Sequence, residues 1–308
     1  MILFFIISGK LKKLENFKNN LHSVFSNHKL NISVTNKQKT ADIVTYNIIN
    51  NKKAENIIIV GGDGTINECV NGIMRTDTSN HSKIKLGIIP TGTGNDLVKS
   101  LNLTNNLNKL LNYIENNSFT GIDICKMNYI NHSKTEDSRY FINMADIGIG
   151  ASVVKKINES SRKLFPSTIY FRAILWSFFT YKRRHIKFES PNFNWKGEIL
   201  SLCIANGRYF GDGLCIAPKA KINNGKLAIT ILGKLSIIDY LIQMGKVKKC
   251  KPLNLKEVEY AEVNNCRITA TNAKESPIDM DGEFIGYTPI TVDVFPRYIN
   301  VYGRYLSY

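Results

Sequence analysis

The chain has 308 residues, 43% of them hydrophobic and 21% charged, with a formal net charge of +16 at pH 7. That balance excludes a disordered or fibrous chain and leaves enough apolar residues for two cores. The Lys and Arg residues are spread among many Asn and Ile rather than gathered in a tail, so a nucleic-acid partner is set aside, and no run approaches the ~20 apolar residues needed to cross a bilayer.

The first residues, MILFFII, lack the basic start and small-residue cleavage site of a signal peptide and read as a buried strand. Strand and helix patterns then alternate. Leu3–Ile7 is a strand, Leu11–Phe25 a helix, Leu30–Val34 a strand ending at Thr35, and Asp42–Asn50 a helix. Asn56–Val60 is a β-branched strand, Thr65–Met74 a helix, Leu86–Ile89 a strand, and Asp96–Leu101 and Asn108–Ile114 are helical. Repeated βα units argue for an α/β, doubly wound parallel sheet, which binds ligands beyond the carboxyl ends of its strands. Thr35, Gly61–Thr65 and Pro90–Asp96 all fall at such ends.

From Gly121 the texture becomes β-rich. Strands are expected at Ile122–Met127, Tyr140–Met144, Glu198–Ala205, Leu227–Ile231, Cys266–Ala270 and Ile290–Phe295, with a helical insertion over Ser152–Tyr181. The organisation expected is an α/β domain over 1–125, a β-rich domain over 126–295, and a C-terminal stretch, 296–308, that completes the first. The six cysteines contain no CxxC pair. Cys69, Cys203 and Cys215 lie inside apolar patterns and read as buried hydrophobes in a reducing, cytoplasmic compartment, without disulfide or zinc.

Three stretches carry chemistry. In IIIVGGDGTINE a buried strand runs into glycines and then a helix, where uncovered N–H groups and the helix dipole suit a phosphate. Neither GK[ST] nor GxGxxG is present, and a structural turn capped by Thr65 is the plainer alternative. PTGTGND repeats the arrangement, with Thr93 between Gly92 and Gly94 and with Asn95 and Asp96 as good helix caps. IDMDGE contains an Asp-Gly pair, a strong hairpin signal, beside which Asp281 and Glu283 form a candidate acid pair able to accept a proton.

GGDGTINE, PTGTGND, ANGRYFGDG with IAP, and DMDGE, in this order over nearly the whole chain, resemble the diacylglycerol kinase catalytic-domain family, in particular its soluble bacterial lipid kinases, related to sphingosine and ceramide kinases. The resemblance implies an N-terminal nucleotide-binding domain, a C-terminal sandwich-like domain and an active site in a cleft. It implies ATP contacts at Thr35, at Gly62, Asp63, Gly64, Thr65, Ile66, Asn67 and Glu68, and at Thr93, with Asp63 and Asp96 near the Mg2+ and phosphates, next to Asn95. Glu283 is implied as the proton acceptor, with Asp281 beside it.

Two positions depart from the family pattern. The first strand ends in Ser8, Gly9 and Lys10 where the family has Asn-Pro, and KINNGKL places neutral Asn224 where the family has an acidic residue at a structural magnesium. Lys221 and Lys226 would offer only backbone carbonyls there, and magnesium prefers carboxylates. A last stretch, IYFRAILWSFFTYKRRHIKF, reads as an amphipathic core helix ending in Lys182, Arg183 and Arg184; an exposed face touching an anionic membrane is the alternative. The sequence thus points to an ATP- and Mg2+-dependent kinase of a membrane lipid, peripheral at the membrane surface. A kinase of a soluble polyol or nucleotide, or a regulator without catalysis, are the alternatives. The acyl acceptor has no signature, and a homodimer is compatible with the sequence.

Overall fold

The computed structural model describes residues 1–36, 40–159, 181–271 and 275–305, so most of the expected insertion over Ser152–Tyr181, and with it most of the proposed membrane-touching stretch, lies outside the described residues. The chain divides into two compact units: Met1–Ile124 with Ile222–Asn224 and Pro296–Tyr308, and Cys125–Lys221 with Gly225–Phe295.

The first unit runs β1 (Ile2–Ser8), α1 (Leu14–Val24), β2 (Lys29–Thr35), α2 (Ala41–Lys52), β3 (Asn56–Gly61), α3 (Asp63–Met74), α4 (Thr78–His81), β4 (Lys85–Pro90), α5 (Asp96–Ser100) and α6 (Leu107–Glu115). Its strands are parallel in the order β2-β1-β3-β4, and the C-terminal residues Asn300 and Val301 pair in parallel with Lys85 and Leu86 of β4. Ile57–Val60 are fully buried, as in a strand covered on both faces. Leu3, Phe5 and Ile7 cluster with Leu21, Phe25 and Leu110, while α2 and α3 pack against β1 and β3. Each such side chain contributes about 1.5–3 kcal/mol by burial. Registers Ser8↔Thr35 and Gly61↔Pro90 align the carboxyl ends of all four strands on one rim. The chain reverses its winding between β1 and β3, the kind of switch point at which doubly wound sheets bind ligands.

In the second unit, β5 (Phe119–Asn131) enters from the first, and β6 (Glu136–Phe141), β7 (Met144–Gly148), α7 (Ile149–Glu159), β8 (Arg184–Glu189), β9 (Asn194–Ile199), β10 (Ser201–Ala205), β11 (Tyr209–Phe210) and β12 (Leu214–Cys215) follow. Then come β13 (Leu227–Leu232), α8 (Ile237–Lys248), β14 (Val258–Val263), β15 (Asn265–Ala270), β16 (Pro277–Met280) and β17 (Glu283–Tyr302), whose last residues return to the first unit. Antiparallel strands run β14-β13-β10-β7-β16-β17, and both β15-β8-β9 and β5-β6 join through β17. Alternate residues, among them Met127, Phe141, Ile147, Phe188, Leu202 and Ile229, form one apolar core, which makes this unit a β-rich, sandwich-like body.

Several expected elements are corrected. The single strand expected at Tyr140–Met144 is broken between β6 and β7, because the amides of Ile142 and Met144 donate to the Asp281 carboxylate instead of a neighbouring strand. Glu198–Ala205 divides at Leu200, whose carbonyl accepts the Ile149 amide. Helix α3 starts two residues before Thr65, because extended Gly62 (φ −98°, ψ −175°) serves as its N-cap. Strands β8 and β14 and helix α8 were not expected. Cys215 and Cys250 form a disulfide, contrary to the reading of free thiols; α8 carries Cys250 back to β12 across 35 residues, a pairing that spacing alone does not show. The argument from cysteines to a reducing compartment falls with it. Cys69, Cys125, Cys203 and Cys266 are free and buried. No helix among the described residues is long and apolar enough to cross a membrane.

Candidate active site

The two glycine-rich turns of the first unit meet backbone to backbone. A Cβ on Gly92 would stand 2.5 Å from the Gly62 Cα, and one on Gly62 would stand 2.9 Å from the Gly92 Cα. Only glycine at both positions permits this approach. Asn95, at φ 51°, closes the second turn by accepting from the Gly92 amide (3.0 Å) and donating to its carbonyl (2.8 Å). Asp63 then bridges the turns: its two carboxylate oxygens accept the Asp96 and Leu97 amides, each at 3.1 Å. Asp63 therefore caps α5 from the first turn of α3.

The remaining residues of these motifs divide by exposure. Thr93 and Gly92 are exposed, and a Cβ on Gly64 would meet nothing within 4 Å, so the start of α3 is open to a ligand. Thr65 folds back over Gly61, where a Cβ would lie 2.6 Å from its own. The Ile66 side chain is core, and its amide bonds the Gly62 carbonyl at 3.1 Å. Asn67 is buried against Asn71, whose amide nitrogen donates to Asn67 Oδ1 at 3.1 Å. Glu68 accepts the Ala41 amide at 3.0 Å, at the start of α2. Thr35 is buried, its hydroxyl 3.4 Å from the Ile7 carbonyl.

Two carboxylates converge beside the second turn. Asp63 Oδ2 and Asp96 Oδ2 each lie 3.4 Å from the point a Gly94 Cβ would occupy, and Asp96 also pairs with Lys99 at 3.3 Å. Asp63 and Asp96 supply hard oxygens beside this turn, which suit a magnesium ion that arrives with nucleotide phosphates as its other ligands. The segment Lys221–Lys226 is different. Asn224 brings no carboxylate, Lys226 faces Glu262 at 3.9 Å, and the Gly225 carbonyl accepts Asn264. Among the described residues no group of three His, Cys, Asp or Glu side chains could hold a metal ion. At Lys221, Asn224 and Lys226 a magnesium ion would find backbone carbonyls and a neutral side chain, a weaker ligand set than carboxylates.

In the second unit, β16 and β17 form a two-residue hairpin with Met280 opposite Glu283. Asp281 (φ 49°) and Gly282 (φ 85°) both take positive φ, the signature of a type I′ turn, where Asp-Gly is favoured. Asp281 and Glu283 face different partners. Asp281 is buried and its oxygens accept the Met144 (2.9 Å) and Ile142 (3.3 Å) amides, which pins the turn to the β6–β7 junction. Glu283 is half-buried and its Oε2 receives Arg139 at 2.7 Å. Arg139 carried no signal in the polar strand EDSRYF.

Beneath this turn lies a carboxyl pair that the motif reading missed. Asp279 of β16 stands opposite Asp146 of β7, both buried. Asp146 accepts from the Ser201 hydroxyl, from Cys203 and from the Ala151 amide. Neither Asp279 oxygen has a hydrogen-bond partner. Burial, then the charges of Asp146, Asp281 and Glu283, hold its carboxyl well above the usual range, and burial raises Asp146 too. The alternating acids of IDMDGE were visible in the sequence, but not which of them turns inward.

Comparison with known proteins follows this division. Residues 1–127 match the diacylglycerol kinase catalytic domain, and residues 143–303 match the YegS C-terminal NAD kinase beta sandwich-like domain. A Yersinia enterocolitica protein named "probable lipid kinase YegS-like" is 28% identical over 247 residues, 80% of this chain and 78% of that one. A Pectobacterium atrosepticum protein of the same name is 29% identical over 191 residues, 62% of this chain and 60% of that relative's length. A crystal structure described as a diacylglycerol kinase from Bacillus anthracis shares the fold, with a TM-score of 0.69 at 19% identity over 98% of this chain and 96% of that one.

Proposed function

The chain belongs to the diacylglycerol kinase catalytic-domain family, and from that premise we propose that it transfers the γ-phosphate of ATP to the hydroxyl of a diacylglycerol-like membrane lipid. The observation that carries the reading is the Gly62–Gly92 contact, with open space over Gly64 and the Asp63 and Asp96 carboxylates beside the second turn. Uncovered amides at the start of a twelve-residue helix attract phosphate, and backbone approach needs the missing side chains. Asp63 and Asp96 would hold the magnesium, which when bound neutralises phosphate charge.

Phosphoryl transfer demands positioning and charge stabilisation more than covalent help from the protein. Arg139 fixes Glu283 through Oε2, which leaves Oε1 to accept the proton as the lipid oxygen attacks the γ-phosphorus and ADP leaves. Asp281 serves as a positioning residue for that turn. Incubation of the protein with labelled ATP, magnesium and a panel of diacylglycerol, monoacylglycerol, phosphatidylglycerol, sphingoid bases and undecaprenol tests the proposal. Label should enter one lipid class; transfer only to a soluble polyol or nucleotide, or to no acceptor at all, overturns it.

A further inference from the structure

Helix α8 has two faces of opposite character. Its start is fixed by a capping box in which Ser236 Oγ receives the Asp239 amide and Asp239 receives the Ser236 amide. Val247 packs inward on Leu235, Leu253 and Val258, and Met244 is buried as well. On another face Ile238 is 65% exposed, Leu241 46% and Ile242 67%. Scattered exposed aliphatics are ordinary, but these three fall at helical spacing on adjacent turns and form one patch. The same stripe continues through exposed Gly245 to exposed Lys248 and Lys249, with Lys246 and Lys251 also exposed nearby.

We propose that this stripe is the surface by which the protein docks on an anionic lipid bilayer. The inference rests on the lipid-kinase reading only in supposing that the substrate resides in a membrane. An aliphatic patch followed on one helix face by ammonium groups matches acyl chains beside anionic headgroups: the isoleucines and leucine enter the interface while the lysines extend to its charged level. A second copy of a chain with net charge +16 would bring like charge to the same lysines, so charge complementarity favours the bilayer over self-association. The Lys182–Arg184 cluster is a weaker candidate, because Arg183 donates to the Leu235 carbonyl and, of the three, Lys182 alone is exposed.

The test is sedimentation of the full chain with vesicles of phosphatidylglycerol and phosphatidylcholine in equal parts, against pure phosphatidylcholine. Binding should need the anionic lipid and weaken with salt. Ile238→Gln with Ile242→Gln should lower the vesicle partition at least tenfold, and Lys248→Gln with Lys249→Gln should lower it by about fivefold for each lysine. Phosphorylation of detergent-dispersed lipid should be unchanged in both variants; absence of that activity in the unaltered protein counts against the kinase reading, while vesicle binding judges the docking surface independently. The proposal is overturned if both double variants bind vesicles as the unaltered protein does, if the unaltered protein ignores the anionic lipid, or if the isoleucine variant instead abolishes a dimer seen in ultracentrifugation.

Discussion

The glycine turns of the first unit and the acidic hairpin of the second both place carboxylates at sharp bends, yet the carboxylates answer to different surroundings. Asp63 meets two amides across a gap that only glycines allow, so it is fixed by the turn it holds. In the hairpin, Asp281 meets amides, Glu283 meets a guanidinium, and Asp279 is buried among the charges of other acids. Residue type alone therefore does not assign a role. What covers the carboxylate does.

The sharpest way to break this comparison is Glu283→Gln. An amide of the same shape keeps the hairpin but cannot take the proton, so turnover with the active lipid should fall by about 10²–10⁴ while ATP affinity by calorimetry holds. Near-normal turnover would reduce Glu283 to a partner of Arg139.

The glycine contact gives the next effect. Gly92→Ala drives a Cβ into the Gly62 backbone and should cost about 1–3 kcal/mol of stability together with nucleotide binding. Gly64→Ala is the contrast, because no atom lies within 4 Å and a helical Ala in place of Gly gains about 0.5–1 kcal/mol. If the open side of Gly64 receives phosphate, that variant melts at the same or higher temperature and binds ATP more weakly. Unchanged ATP affinity would leave only a capped turn there.

Asp279 sharpens the other side. Its carboxyl is raised in the folded protein, so the folded state keeps a proton that the unfolded state releases above about pH 3.9. Stability from this group is full below that pH and is lost as pH rises towards the raised value. Asp279→Asn removes the slope and should gain on the order of 1 kcal/mol relative to the unaltered protein between about pH 5 and pH 8. Parallel melting curves across that range would show that Asp279 is not the titrating group. The smallest effect concerns Asn224. Asn224→Asp should raise the melting temperature in magnesium, relative to chelator, by about 1–2 °C, and a large magnesium shift already present without nucleotide would contradict a weak magnesium site at Lys221–Lys226.

The elements legible in advance were those whose signals are local. Ile57–Val60 is apolar on both faces, Asp-Gly demands a tight turn at 281–282, and the glycines at 61–64 and 92–94 interrupt strand and helix in ways few other structures need. Helix α8 escaped notice although its capping box, Ser236 to Asp239, is local, because its exposed and buried aliphatics together blur the helical stripe.

By itself, then, the sequence determined the βα alternation, the junctions and the hairpin, because these depend on backbone geometry and on periodicity within a dozen residues. Only the tertiary structure decided that Asp63 caps a helix thirty-three residues away, that Arg139 rather than Asp281 faces Glu283, that Cys250 meets Cys215, and that Asp279 is buried against Asp146. Those pairings join distant segments whose identities impose no spacing on one another. Their partners are set by which strands lie side by side, and strand order is a property of the packed sheet.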